Sequence, residues 1–539
     1  MAKLKVGIVI FLVSMFLLST IAGGTKLAAA AEDSGRQTVL TAPYTEYEWW
    51  LIRWNDNEIL CTLKIDHDGL PTAEEVYNGC SADAYQEWLD TPPCKQIVKG
   101  NTTTTGCNGL YFHLVSVQQK ERQVVIDLPE PTIWVSLEDC LPIPPDNFCS
   151  NLPTLVLTGE EPLPNETITA IQGTYADIMF YCAGDRCALP MQTTPVEGVL
   201  VEFWAESSFG DTSEKFTAQV RVIDSGVSTA PGGSGYFVDV LSTQWRGKPI
   251  ASCAKTWEAF PPLGGTPGWL STPEQTSLLN SAEAYYYLAG RLIAQGVVDA
   301  SSCVTGGMLA NGYADACGLE RARQAVLEWQ NQFDARILEV SQETSVPAQL
   351  LKNLFAQESQ FWPGVFRVPL EFGLGQITDN GADAILLWNG SFYDEFCPLV
   401  LAEDACAKGY LKLKPADQAL LRGALAIEAK ADCPECPAGV DLSNAYTSVS
   451  LFAHTLQANC DQVGQIIGTA TEQVPGSVSN YEDLWRFTVA NYHAGPGCLS
   501  YAIHMAWQNS PGRLNWENVS SYFTEPCKGV IPYVEKITQ

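Results

Sequence analysis

The chain has 539 residues, 46% of them hydrophobic and 10% aromatic, with 61 acidic side chains against 31 Lys and Arg and a net charge of -30. That length suits roughly three or four domains at about 150 residues each, and the apolar content excludes a disordered, coiled-coil or collagen-like chain. So acidic a surface repels phosphate backbones, which argues against nucleic acid as a partner, and it weakens attraction to anionic membranes and wall polymers.

Residues 1–31 read as a signal peptide. Lys3 and Lys5 precede an apolar run over residues 6–22, and residues 28–31 are all Ala, the small-residue pattern of a cleavage site. The run is long enough to hold the chain in a membrane only if it stays uncleaved, and no later segment is that long. Its removal takes away Lys3, Lys5 and Lys26 and no acid, so the mature chain is more acidic still. The expected location is secreted or cell-surface, the periplasm included. The 18 Cys are even in number and scattered, which reads as up to nine disulfides. Cys433 and Cys436 form the only tight C-x-x-C pair. A zinc site needs four ligands and nothing complements that pair, so a disulfide is expected there and no metal.

Residues 37–150 are rich in Trp, Thr, Pro and Cys, with short apolar runs such as Trp49-Trp50-Leu51-Ile52 and Val124-Val125-Ile126. They read as a β-rich, Cys-containing module. Residues 151–260 read as a second, sandwich-like β module. Within it, residues 198–205 and 216–222 alternate at period two around a turn at 207–211. Residues 177–182 and 187–189 flank Ala183-Gly184-Asp185-Arg186, a predicted hairpin closed by Cys182 and Cys187. The Pro- and Gly-rich residues 261–268 read as a linker. A helical connecting region over 269–333 follows, with helices predicted at 281–288 and 319–327. Residues 334–539 read as a mainly α domain, on which the tail from Val530 onward is expected to dock. The fold class is therefore multidomain, with N-terminal all-β modules followed by a C-terminal mainly α domain.

The chemistry concentrates in that α domain. A helix is predicted with Ser345 as N-cap, Pro347 in its first turn, and Leu350, Leu351, Leu354 and Phe355 along its apolar face. Glu358 continues the same face at the helix C-terminus, where the backbone dipole disfavours negative charge. Desolvation and dipole both push its pKa upward, as a general acid near neutral pH requires. In a later helix Tyr481, Leu484, Trp485, Thr488, Val489 and Tyr492 share a face, and Gly495-Pro496-Gly497 stops it. Tyr492 is thus directed inward at a helix end, as Glu358 is.

These segments resemble, in order, the motifs of the soluble lytic transglycosylase catalytic domain, a lysozyme-like family that cleaves peptidoglycan. Glu358-Ser359-Gln360-Phe361 is similar to its Glu-Ser followed by an aromatic. Gly373-Leu374-Gly375-Gln376-Ile377 is similar to Gly-Leu-Met-Gln-Ile, and Asn491-Tyr492-His493-Ala494-Gly495 to Ala-Tyr-Asn-Ala-Gly. Asp441-Leu442-Ser443-Asn444 and the helix-like residues 445–457 resemble its Asp-Pro-x-x-Asn-Ile helix. The resemblance covers roughly residues 337–505, about a third of the chain. It implies a lysozyme-like α fold, with Glu358 as the single catalytic acid and then base. It also implies that Ser359, Gln376 and Tyr492 line a sugar groove, with His493 and Glu371 at the same groove. One carboxyl suffices, because the sugar's own C6 hydroxyl replaces water and no second carboxylate is obligatory.

The chain departs from the pattern at several places. Gly375 stands for Met, and His493 for the Asn after the motif Tyr. Residues 367–371 replace Ser-x-x-Gly-Ala, which puts Glu371 near the groove as a second carboxyl, or on its rim in a salt bridge with Arg367 or Lys352. Residues 379–440, carrying Cys397, Cys406, Cys433 and Cys436, exceed the family's usual connection. The expected partner is peptidoglycan or a related GlcNAc-containing glycan, cleaved at the β-1,4 bond between N-acetylmuramic acid and N-acetylglucosamine. The alternatives are hydrolysis, as in goose-type lysozymes or chitinase-like enzymes, and a catalytically degenerate wall-binding protein. The sequence has no phosphate loop, no G-x-S-x-G elbow and no H-E-x-x-H helix, and no cofactor is expected.

Overall fold

The computed structural model describes residues 36–90, 98–99, 102–103, 109–140, 147–229, 233–247, 253–363 and 371–539. The predicted signal segment, Cys94, Cys107 and Arg367 lie outside the described residues. The chain divides into two compact units, one holding residues up to Glu130 with Pro162–Glu166 and Phe209–Asp211, the other holding the rest.

In the first unit β1 (Gln37–Arg53), β2 (Ile59–Ile65) and β3 (Leu110–Asp127) form an antiparallel sheet in the order β2-β1-β3. Two helices, α1 (Ala73–Gly79) and α2 (Ala82–Asp90), interrupt a stretch read as strands alone. Their start was legible. Thr72 and Glu75 form a capping box in which each side chain accepts from the other's backbone N–H. The Cys61–Cys80 disulfide joins β2 to the end of α1, and Leu51, Leu63, Val76 and Leu110 form the core.

The second unit opens with a sandwich of β4 (Thr132–Glu138), β5 (Thr154–Glu160), β6 (Ile168–Tyr175), β7 (Ile178–Ala183), β8 (Arg186–Pro190), β9 (Val199–Ser207), β10 (Phe216–Thr229) and β11 (Gly233–Ser242). One sheet runs β8-β5-β4, and the other β7-β6-β9-β10-β11 with Phe148–Cys149 at its edge. As the alternation predicts, β9 buries Val201, Phe203 and Ala205 on one face and pairs antiparallel with β10. Two expectations change. The sandwich begins with β4, paired to β5, ahead of the boundary expected at 151. Cys182 and Cys187 are bonded, but the strands beside them are not a hairpin: β7 pairs with β6, and β8 pairs with β5 in the other sheet. The disulfide therefore clips one sheet to the other. Alternation alone cannot separate a hairpin from a sheet switch, because both keep one face buried.

In the second unit helical structure begins at α3 (Ala254–Trp257), before the residues read as a linker. Trp257 is fully buried, donates its indole N–H to the Cys460 carbonyl at 3.0 Å, and packs edge-on against Trp485. Cys253 and Cys460 are bonded across a separation of 207 residues. On the sandwich side Arg221 pairs with buried Asp239 and donates to the Pro261 carbonyl at 2.7 Å. The Pro- and Gly-rich stretch is thus anchored at its start.

The longer helices that follow are α4 (Tyr286–Ala294), α5 (Ala316–Asn331), α6 (Asp334–Thr344), α7 (Ala348–Glu358), α8 (Asp379–Trp388), α9 (Pro415–Ala429), α10 (Leu442–Thr471), α11 (Tyr481–Ala494), α12 (Pro496–Asn509) and α13 (Val530–Ile537). The helix predicted at 281–288 starts only at Tyr286, whereas that at 319–327 lies inside α5. Asp441 caps α10 by accepting from Ser443 and Asn444, and Gly495 ends α11 at φ 82°. Ser345 is not the N-cap of α7. It takes φ 58° and ends α6, while Pro347 occupies the cap position. Among the described residues sixteen cysteines form eight disulfides, Cys397–Cys406 and Cys433–Cys436 included. Among them no helix is long and apolar enough to cross a membrane.

Helix α7 is buried on nearly every side. Its one cation, Lys352, is fully buried and reaches Asp334 of α6 at 2.6 Å and Asn331 at 3.0 Å. Lys352 is therefore committed to α6 and does not pair with Glu371. Lys352→Met leaves Asp334 charged and unpaired in the core, at an expected cost of about 3–5 kcal/mol. Urea unfolding at pH 7 reads this loss, and adding Asp334→Leu should recover most of it.

Candidate active site

Four segments converge where α7 ends. Beyond Glu358 the chain reverses through Gln360 and Phe361, at φ 51° and 61°. The Gln360 amide oxygen accepts the N–H groups of Tyr287 and Leu288 at 2.9 and 3.1 Å, satisfying the open end of α4. Phe361 is fully buried and stacks on Phe333. The last turn of α7 is thereby held from both sides.

The second segment is a tight loop in which Phe372 and Ile377 exchange both backbone hydrogen bonds at 3.0 Å. Gly373 sits at φ 71° so close to α10 that an added Cβ would lie 2.7 Å from Ser448 Cβ. Ser448 Oγ accepts the Leu374 N–H at 3.1 Å. At Gly375 an added Cβ would lie 2.1 Å from the Phe452 ring, so Phe452 fills the space that a side chain there would need. This accounts physically for the departure at Gly375. Gln376, at φ 54° and 5% exposed, donates its amide to the Gly373 carbonyl at 3.0 Å.

The third segment is the end of α11. The Tyr492 hydroxyl donates to the Gly375 carbonyl, and its ring meets Phe452 edge-on at 5.2 Å. The fourth is α13, whose Tyr533 hydroxyl donates to Glu358 Oε1. The Tyr533 ring stacks on His493 with centroids 3.8 Å apart.

The first three of these segments, together with α8 and α10, line a cleft of about 510 Å³ whose walls include Glu358, Glu371, Gln376, Asn459, Tyr492 and His493. Five of the six residues expected at the groove therefore meet there. Ser359 does not. It is 2% exposed, and its hydroxyl donates back to the Phe355 carbonyl at 3.3 Å, a bond internal to the helix end. Adjacent positions on a helix face different directions, so standing next to the acid in sequence does not aim Ser359 at the cleft. A larger cleft of about 740 Å³ lies on another side, lined by Trp269, Asn280, Glu283 and Arg486 among others. Its charged groups neutralise one another, Lys536 with Glu283 at 2.6 Å and Arg486 with Glu482 at 3.6 Å.

Burial raises the Glu358 carboxyl to about 7, and the nearby charge of Glu371 adds to the effect while the Tyr533 hydrogen bond opposes it. The C-terminal dipole of α7 acts in the same direction as burial. Burial also raises Glu371. It lifts Tyr492 and Tyr533 well above the usual phenol value, with Glu358 adding to both, so each stays a proton-bearing donor at neutral pH. His493 is held below the usual imidazole value by burial against its surroundings. A carboxyl that keeps its proton to near neutrality on the wall of an open cleft can protonate a leaving oxygen and later take a proton back. Among the described residues no cluster of three or more His, Cys, Asp or Glu is placed to hold a metal ion.

Tyr533 is the residue that sequence reading missed. Its helix carries a legible stripe, since Val530, Tyr533, Val534 and Ile537 are all buried. That stripe shows a docking helix, and nothing local names the carboxyl it docks on. Tyr533→Phe removes the donor that holds Glu358 down, so the Glu358 pKa should rise above about 7. An NMR titration of the Glu358 carboxyl reads this directly, and the alkaline limb of any pH–rate profile should move to higher pH with it. No protein-family model, curated protein or solved structure matches this chain.

Proposed function

We propose that the α domain is lysozyme-like and cleaves the β-1,4 bond between N-acetylmuramic acid and N-acetylglucosamine in peptidoglycan, in the manner of a lytic transglycosylase. One observation carries the reading. Glu358 keeps its proton to about pH 7 on the wall of an open cleft, with a tyrosine hydroxyl directed at the same carboxyl. The protonated carboxyl gives its proton to the glycosidic oxygen, and positive charge develops at C1 of the muramic residue as that bond breaks. The carboxylate then takes the proton of the C6 hydroxyl, whose oxygen bonds to C1 and closes a 1,6-anhydro ring. No water is consumed and Glu358 ends protonated again. Tyr533 steadies the carboxylate between the two transfers. Tyr492 is a positioning residue, because its hydroxyl is committed to Gly375 and holds the Gln376 loop against α11. The eight disulfides among the described residues fit an oxidising compartment, in line with secretion.

Hydrolysis is the second reading, and Glu371 supports it. Its carboxyl shares the cleft and acts electrostatically on Glu358, so it is placed to hold an attacking water.

Glu358→Gln should lower glycan cleavage by about 10² to 10⁴, the usual contribution of a general acid–base group. Activity within about threefold of wild type on purified peptidoglycan would remove Glu358 from its role. The same variant has a stability signature. Glu358 moves from 4.5 unfolded to about 7 folded. Between those values the folded chain holds a proton that the unfolded chain has lost, so wild type loses stability as pH rises through that window. The amide does not titrate, and its advantage in melting temperature over wild type should therefore grow between pH 5 and pH 8.

The products separate the two readings. Mass spectrometry should find anhydro-muramic ends, lighter by one water than hydrolytic ends. A majority of reducing ends that disappears in Glu371→Ala would instead establish hydrolysis.

A further inference from the structure

Three amides meet on the α10–α11 side of the cleft, Asn459 and Gln462 of α10 and Asn491 of α11. Asn459 Nδ2 donates to the Thr455 carbonyl of its own helix at 2.8 Å. A carbonyl oxygen only accepts, so this bond fixes which way the Asn459 amide faces and turns its Oδ1 outward. Asn491 Nδ2 donates to Asn459 Oδ1 at 2.7 Å and to Gln462 Oε1 at 2.7 Å. Asn491 is 2% exposed, and its own Oδ1 is buried without a partner. Such an orphaned acceptor costs about 1–3 kcal/mol. It persists because turning the amide over would set that oxygen against two other acceptors. The relay ends at Gln462, whose Oε1 is taken. Among the described residues its Nε2 has no protein partner, and it is not a buried atom. Gln462 also lines an adjoining trough of about 540 Å³ walled by Trp388, Ile466 and Ala470. A fixed N–H donor thus stands where a polar cleft meets an apolar surface.

We propose that Gln462 is a specificity-determining residue that reads the acetamido group of an amino sugar. Its Nε2 donates to the acetamido carbonyl, and the trough receives the methyl. The assignment rests on the glycan reading of the cleft. Because the relay from the Thr455 carbonyl permits only the donor to face outward, a de-N-acetylated sugar, which presents an ammonium there, meets a like-polarity group and is disfavoured. Asn491 stands where the motif it resembles has Ala, so this relay belongs to this chain and not to the pattern.

The test uses the full chain with Glu358→Gln, so that ligand is not consumed. Calorimetry compares the N-acetylglucosamine hexamer with its de-N-acetylated counterpart at one pH and salt concentration. Gln462→Glu keeps an acceptor for Asn491 but presents a carboxylate to the cleft, and Gln462→Leu removes the donor without adding charge. Each should cut the preference for the acetylated hexamer at least about tenfold, with a melting temperature close to the parent's. Asn491→Ala leaves Gln462 in place but frees it to rotate, and should lower the preference by a smaller factor. If the parent shows no preference, or both Gln462 variants keep it within about twofold, the assignment is overturned and the glycan reading stands. Binding of neither hexamer by the parent overturns both.

Discussion

Burial of α7 is the constraint on which the site depends. A helix with one solvated face would leave its last carboxyl in water, at an ordinary acidity and unable to donate a proton near neutrality. Here Leu350, Leu351, Leu354 and Phe355 are all fully buried, and so is Lys352, which the core admits only because Asp334 and Asn331 meet it. Glu358 inherits that dry setting at the point where the helix ends and a cleft begins. The reversal through Gln360 and Phe361 keeps the end from fraying, since Gln360 is bound to α4 and Phe361 is locked in the core.

Around this helix, α10 acts as the common support. It supplies Ser448 to the loop before Gln376, Phe452 to the space beside Gly375, and Asn459 and Gln462 to the cleft wall. It is also bonded through Cys460 to Cys253, close to the junction with the sandwich. A change in the packing of α10 would therefore move several walls of the cleft together, whereas α13 lies behind the wall and acts through Tyr533, which donates to Glu358 and stacks on His493. The two kinds of contact have different consequences. The first sets shape, and the second tunes one carboxyl.

The charge of the chain and the character of the cleft are consistent with each other. A net charge of -30 gives no attraction to an anionic polymer, and the cleft itself holds two carboxyls with raised pKa values. The amides of Gln376, Asn459 and Asn491 are committed to protein partners, so among the described amides the neutral donor left facing the cleft is that of Gln462.

Much of this architecture was legible in sequence because periodicity reports which face of an element is buried. The stripe from Leu350 to Phe355 placed Glu358 inward, the stripe from Tyr481 to Val489 did the same for Tyr492, and Asp441 marked the start of α10. The even, scattered cysteines announced disulfides, Cys182–Cys187 and Cys433–Cys436 among them. Other features lay beyond local pattern. Strand alternation is the same in a hairpin and in a switch between sheets, so the partners of β7 and β8 could not be read from it. The Thr72–Glu75 box is present in the sequence, but it lies within a strand-like composition, and a capping pattern alone does not make a helix. The direction of the Ser359 hydroxyl, the occupation of the space at Gly375 by Phe452, and the reach of Tyr533 to a carboxyl 175 residues away are different in kind. The apolar stripes of the sequence determined which helix faces turn inward. Only tertiary packing decided what each one meets there, because a side chain's partner is set by the element packed against it, and spacing along its own helix carries no record of that element.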